Sequence, residues 1–437
     1  MNFTSLANKY VCDVPVYEPG RPIEEVAREL GLKPAGIIKL ASNENALGPS
    51  PKAIAAMRKA LTTAHLYPDG GGFYLRQALA KKLSSGRDGA RPSISIDNIV
   101  LGTGSNEIIE FLYHAFVGPG DEVVAGDRAF VIYSIMAKMF QARCIEVPFK
   151  GHTHDLRAMR EAITEKTKLV FVANPNNPTG TRVTNAELDE FIRLLPSHVV
   201  CVLDEAYIEF LDDPPPSIEW ALGKQPPETK SQAGMPVPPI KPQAGMPVPP
   251  IKLQAGMPVQ PIKLQAGMPV QPIKPQAGMP VQPQSDGPKV VLLRTFSKIV
   301  GLAGLRIGYG IAQKDCIALL QKVRQPFNVN AVAQAGALAA LDDTAHIRKT
   351  KAMTRRGLAY LGKEFKRLDL EFVPSCANFV LVNVGDGDRI FRGLQRRGVI
   401  VRPMRGYKMP EWVRVTVGLP EENRKFINAL RAELNHE

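Results

Sequence analysis

The chain has 437 residues, 44% of them hydrophobic and 22% charged, with a formal net charge of +13. This is the composition of an ordinary globular protein of about two or three domains, not of a disordered or fibrous one. Its apolar runs, such as Val199 to Leu203, are far too short to span a bilayer, and the positive charge comes with no basic helix, zinc-finger spacing or basic–aromatic interleaving that would mark a nucleic-acid binder.

The N-terminus, Met1-Asn2-Phe3-Thr4-Ser5, lacks the basic start and apolar core of a secretory signal. The five cysteines (Cys12, Cys144, Cys201, Cys316 and Cys376) are odd in number, scattered and without a C-x-x-C pair. They read as reduced thiols of a cytoplasmic protein. His152-Thr153-His154 has no third ligand nearby in sequence, so no metal is expected.

From residue 98 onward, strand-like runs alternate with helical patterns. Strands are expected at Asn98–Leu101, Asp121–Ala125, Lys168–Ala173, His198–Leu203 and Lys289–Leu293, with a helix over Glu107–Phe116 after the first. Continuous apolar strands alternating with helices predict a mostly parallel sheet covered on both faces. Ligands of such sheets sit beyond the carboxyl ends of the strands. Three polar motifs lie at such ends. Gly102-Thr103-Gly104-Ser105-Asn106-Glu107 joins a strand to a helix, where glycines and free N–H groups suit a phosphate. Asn174-Pro175-Asn176-Asn177-Pro178-Thr179-Gly180 is a rigid turn whose asparagines either aim an amide at a ring oxygen or serve the turn alone. Asp204-Glu205-Ala206-Tyr207 closes an apolar strand with a carboxylate, which must be paired or solvated.

Between the fourth and fifth strands lie five copies of an eleven-residue unit, beginning at Gln232, Gln243, Gln254, Gln265 and Gln276. Proline in every copy forbids helix and central strand, so 232–286 reads as a disordered or polyproline-II insertion. It is either a duplication tolerated in a surface loop or a proline-rich docking segment.

Arg294-Thr295-Phe296-Ser297-Lys298 follows the fifth strand, and Arg306 comes eight residues after the lysine. A buried amine is costly unless used. An amine that can condense with an aldehyde, beside two hydroxyls and a guanidinium, points to pyridoxal phosphate held as a Schiff base. A helix-end lysine with a surface arginine is the other reading of this run alone.

In the order glycine turn, Asn-Pro-Thr-Gly, Asp-x-x-Tyr, Ser-Lys and Arg, these motifs resemble the fold-type-I pyridoxal-phosphate aminotransferases. More narrowly they are similar to the histidinol-phosphate branch. The likeness runs from Ser42-Asn43-Glu44-Asn45 to Arg414-Val415-Thr416-Val417-Gly418 and leaves out only the repeat. It implies a three-layer α/β fold, with a mostly parallel central sheet between helices and a smaller α+β domain. The implied boundaries are an N-terminal segment 1–49 that joins the small domain, a cofactor domain 50–310 interrupted by 232–286, and a small domain 311–437. That last region carries a helix pattern at Ala331–Leu341 and strand patterns at Asn378–Asn383 and Trp412–Val417.

The resemblance also implies roles. Lys298 carries the cofactor and moves protons. Asp204 pairs with the pyridinium nitrogen, and Asn177 and Tyr207 hold the phenolic oxygen. Thr295, Ser297, Arg306 and the amides of Gly104 and Ser105 hold the phosphate. Phe130 stacks on the ring where many relatives have tyrosine, so stacking survives without the hydroxyl. Tyr67 reaches the cofactor phosphate of the other subunit of a homodimer. Tyr17, Asn45, Arg402 and Arg414 bind substrate, with Arg414 on a carboxylate. The implied reaction takes the amino group of histidinol phosphate to 2-oxoglutarate in histidine biosynthesis. An aromatic aminotransferase, a threonine-phosphate decarboxylase and a non-catalytic scaffold stay open as alternatives.

Overall fold

The computed structural model of the protein describes residues 2–16, 20–85, 93–226 and 287–435. The expected proline-rich insertion and Tyr17 lie outside these residues. Seven strands form the central sheet: β1 (Ile99–Gly102), β2 (Glu122–Gly126), β3 (Arg143–Val147), β4 (Thr167–Ala173), β5 (Val200–Asp204), β6 (Val290–Thr295) and β7 (Gly308–Ile311). Their order is β1-β7-β6-β5-β4-β2-β3. All neighbours pair in parallel except β7, which runs antiparallel to β1 and β6.

Strand periodicity builds the layers. Successive side chains point to opposite faces of a pleated strand. Leu101, Val124, Val170, Cys201, Leu203 and Leu292 therefore enter one core, while Val100, Val123, Phe171, Val202 and Leu293 enter the other. The first core is covered by helices that include Pro51–Leu61 and Ala331–Leu341, and the second by helices that include Ser105–Phe116 and Ile132–Met139. Each fully buried Val, Leu or Ile contributes about 1.5–3 kcal/mol, which is why these strands read as unbroken apolar runs.

A four-stranded antiparallel sheet is built from β8 (Phe372–Val373), β9 (Phe379–Asn383), β10 (Arg402–Pro403) and β11 (Trp412–Thr416), in the order β10-β11-β9-β8. Leu361 and Phe365 of the helix Thr344–Arg367, and Phe426 and Leu430 of the helix Pro420–Leu434, share a core with Val380, Val382, Val413 and Val415 of this sheet. Ile38–Lys39 pairs in parallel with Val399–Ile400 and so ties the N-terminal segment to the last third of the chain. Among the described residues, no helix is long and apolar enough to cross a membrane, and no group of three or more His, Cys, Asp or Glu is arranged to hold a metal.

Two strands of the central sheet escape the sequence reading. β3 is an edge strand with exposed Arg143 and Glu146, so its apolar pattern is broken. β7 reads Gly-Tyr-Gly-Ile, and glycine weakens a strand signal. Its glycine is required by a close approach: a Cβ on Gly308 would stand 2.5 Å from the Ser105 amide nitrogen.

Candidate active site

The carboxyl ends of β1, β4, β5 and β6 deliver their motifs to one cavity of about 370 Å³, within the size range of small-molecule sites. It is lined by Lys298, Asp204, Tyr207, Asn177, Phe130, Gly104, Ser105, Thr295, Ser297 and Arg306. These are ten of the residues singled out from sequence.

One group forms an anion site. Gly104 has φ +77°, and a Cβ there would lie 2.7 Å from Nη2 of Arg306. Glycine thus satisfies both the backbone conformation and the approach of the guanidinium. Ser105 opens the helix Ser105–Phe116, whose first-turn amides have no partner within the helix. The Thr295 hydroxyl donates to Ser297 Oγ at 2.9 Å and accepts from the Ser297 amide at 3.1 Å. Both residues are 5% exposed and both line the cavity. A guanidinium, two hydroxyls and a helix N-terminus are the donor set of a phosphate.

A second group surrounds the carboxylate that closes β5. Asp204 accepts from the Tyr133 hydroxyl at 2.7 Å and from the Ala206 amide at 3.1 Å. Burial pushes the Asp204 carboxyl up, and these two bonds together with the Lys298 charge oppose it. Tyr207 is buried, and its hydroxyl accepts from Asn43 Nδ2 at 2.9 Å. Burial pushes that phenol up to about 12, so it stays protonated. Asn43 is fixed in turn, its amide donating to Thr416 Oγ1 at 2.9 Å.

The Lys298 amine sits 5.6 Å from the centroid of the Tyr207 ring. Its pKa is lowered to about 8, first by burial and then by the charges of Arg414 and Arg306, with Glu44 and Asp204 pulling the other way. An amine near this value is a nucleophile and a proton carrier near neutral pH. Below the site, buried Glu205 accepts two bonds from Arg294, to Nε at 2.8 Å and Nη2 at 2.7 Å. That pair clamps the end of β5 to β6, four residues before the lysine.

Arg414 does not line the cavity but stands one contact away. It is 6% exposed, its Nη1 donates to Asn177 Oδ1 and its Nη2 donates to the Ala41 carbonyl at 2.7 Å. Asn177 itself lines the cavity. Arg402 is half-buried and sits directly across from Arg414 in the β10–β11 register. Asn45 is engaged elsewhere: its amide donates to the Ile299 carbonyl at 2.9 Å and to Thr350 Oγ1 at 3.2 Å. It thus holds the N-terminal segment against the turn after Lys298. Tyr67 is 83% exposed and stacks on Phe327 at 4.8 Å. Sequence reasoning passed over Tyr133, Asn43 and the Glu205–Arg294 pair.

Pyridoxal phosphate meets matching groups here on the structure's own terms: an anion cradle that a Cβ at Gly104 would fill, a buried carboxylate, and an amine kept near pKa 8. The profile of the family described as "Aminotransferase class I and II" matches residues 35–228 and 270–430, leaving a gap that overlaps most of the repeat. A histidinol-phosphate aminotransferase of Akkermansia muciniphila is 40% identical over 435 residues, 99% of this chain and 100% of its own. Histidinol-phosphate aminotransferase 1 of Cupriavidus pinatubonensis is 42% identical over 431 residues, 97% and 96% of the two chains. The crystal structure of histidinol-phosphate aminotransferase from Sinorhizobium meliloti, in complex with pyridoxal-5'-phosphate, superposes with a TM-score of 0.75 at 24% identity, covering 99% of this chain and 98% of that one. Aspartate aminotransferase from Thermus thermophilus with maleate has a TM-score of 0.70 at 22% identity, covering 98% and 99%.

Proposed function

The chain belongs to the class I and II aminotransferases, and on that premise we propose that it takes the amino group of histidinol phosphate, hands it to 2-oxoglutarate, and so serves histidine biosynthesis. The cofactor is pyridoxal 5′-phosphate. The observation that carries the reading is the convergence of Lys298, Asp204 and the Thr295–Ser297–Arg306 cradle on one cavity. The near-full-length relatives carry the choice of substrate.

When bound, the cofactor supplies an aldehyde carbon and a ring that takes up the electron pair of a breaking Cα–H bond. The chain's residues do the rest. Thr295, Ser297, Arg306 and the Ser105 amide hold the phosphate. Asp204, held by its two donors, would pair with the ring nitrogen. Tyr207 and Asn177 present donors to the phenolic oxygen, each oriented by its own partner, Asn43 and Arg414. Phe130 covers the ring face. Lys298 accepts the Cα proton and delivers it again, and its lowered pKa leaves much of it unprotonated near pH 8. Arg414 offers a planar fork to the carboxylate of the keto acid, and Arg402 adds charge beside it.

A homodimer and cytoplasmic residence complete the reading. Leu66, Tyr67, Tyr74 and Phe327 are 59%, 83%, 68% and 46% exposed, an apolar display that a second copy would cover. From that face Tyr67 would reach the neighbour's cofactor phosphate. The deciding assay compares kcat/KM for histidinol phosphate with that for phenylalanine and for threonine phosphate, with a check for carbon dioxide. At least a hundredfold preference for histidinol phosphate without decarboxylation is expected. Equal or better use of either rival would overturn the substrate assignment.

A further inference from the structure

We propose that Tyr133 is a positioning residue for the reaction, acting through Asp204. The inference rests on the reading that Asp204 pairs with the cofactor's ring nitrogen. Tyr133 lies in the first turn of the helix Ile132–Met139 and is 1% exposed. A buried phenol needs a partner, and this one has a carboxylate that lines the cavity, with Tyr133 Oη 2.7 Å from Asp204 Oδ2.

Three contacts fix the tyrosine. Its ring stacks on Phe171 of β4 with centroids 4.4 Å apart and planes at 12°. Its carbonyl accepts from the Tyr113 hydroxyl at 2.6 Å. Its edge meets the ring of Phe130, centroids 5.8 Å apart. Phe130 and Asp204 both line the cavity, so one side chain sets the group that would cover the cofactor ring and the group that would meet its nitrogen.

The chemistry follows from the direction of the bond. The Tyr133 phenol is held well above its ordinary range, first by burial and then by the Asp204 charge, so it is always the donor. Its bond favours the ionised carboxylate against the cost of burial. Without it, Asp204 Oδ2 loses its only protein donor among the described contacts, and the carboxyl pKa rises. An ionised Asp204 is then lost at a higher pH than before. The groups facing this carboxylate are Tyr133, the Ala206 amide, Lys298, Glu205 and Tyr207, and among the described contacts only the first two donate to it.

The test is a cycle of Tyr133→Phe, Asp204→Asn and the double variant. Phenylalanine keeps the ring against Phe171 and removes only the hydroxyl. The readouts are the dissociation constant for pyridoxal phosphate, by equilibrium dialysis, and the acid limb of the kcat/KM profile. Melting of the apoprotein checks that each variant is folded. A hydrogen bond to a charged group corresponds to about a 10- to 100-fold change. Tyr133→Phe is expected to weaken cofactor binding by about that factor and to move the acid limb to higher pH, with the KM for the amino donor little changed. In the Asp204→Asn background the same substitution is expected to change cofactor binding less than about threefold, as coupled partners do. An undiminished effect in that background, or a Tyr133→Phe protein with wild-type binding and pH profile beside a weakened Asp204→Asn, would overturn the proposal. If Asp204→Asn itself binds and turns over like wild type, the reading of Asp204 fails, and the inference falls with it.

Discussion

Replacing Arg294 by methionine strikes the clamp beneath the site. Glu205 is 1% exposed on its side chain and Arg294 12%, with two bonds between them. Removing one partner of such a pair strands a buried charge and costs about 3–5 kcal/mol. The loss has a pH signature. Glu209, also near Arg294, is pushed up to about 7 by burial, with Arg294 opposing that rise. Without the arginine its folded pKa climbs further. A carboxyl whose folded pKa lies above its unfolded value keeps its stability at low pH and loses it as pH rises through the folded value. The deficit of Arg294→Met should therefore be larger at about pH 8.5 than at about pH 6. Urea denaturation of the apoprotein at both pH values measures it. Adding Glu205→Gln should recover more than half of the loss, because a neutral pair no longer strands a charge. A deficit below about 1 kcal/mol, or one independent of pH, would refute this reasoning.

Gly104→Ala should weaken pyridoxal phosphate binding at least about tenfold, since a positive-φ alanine costs about 1–3 kcal/mol and its Cβ meets Arg306 at 2.7 Å; titration of the apoprotein checks it, and unchanged affinity would refute the cradle. The rate at which the apoprotein captures the cofactor should rise with pH through about 8, the value set for Lys298 by burial and by Arg414 and Arg306; stopped-flow absorbance would show instead a rise near that of free lysine if those neighbours do not act. Tyr67→Ala should weaken both the dimer, read by sedimentation, and cofactor retention; wild-type behaviour in both would remove Tyr67 from the interface.

Much of the site was legible because its residues sit at strand ends, where apolar runs stop abruptly at a glycine, an asparagine or a carboxylate. Asp204 after Val200–Leu203 and Lys298 after Val290–Leu293 are of this kind. The helix Ala331–Leu341 matches its expected bounds, and the five strands expected in the central sheet fall within two residues of theirs. β7 was hidden because its glycines answer to tertiary neighbours rather than to strand propensity. Tyr133 and Asn43 were hidden for a related reason. They do not line the cavity and reach it through another side chain, across 71 and 164 residues of sequence respectively. No local pattern records a contact of that length. Arg402 and Arg414, expected from the family likeness to bind substrate, are paired across β10 and β11 by register, which short strands do not disclose.

Borohydride reduction of the protein loaded with pyridoxal phosphate, followed by peptide mass analysis, tests the assignment of Lys298 most directly. A pyridoxyl adduct on the peptide containing Lys298, absent from Lys298→Ala together with all turnover, is the expected result. An adduct confined to another lysine, or a Lys298→Ala protein that still turns over, would contradict it.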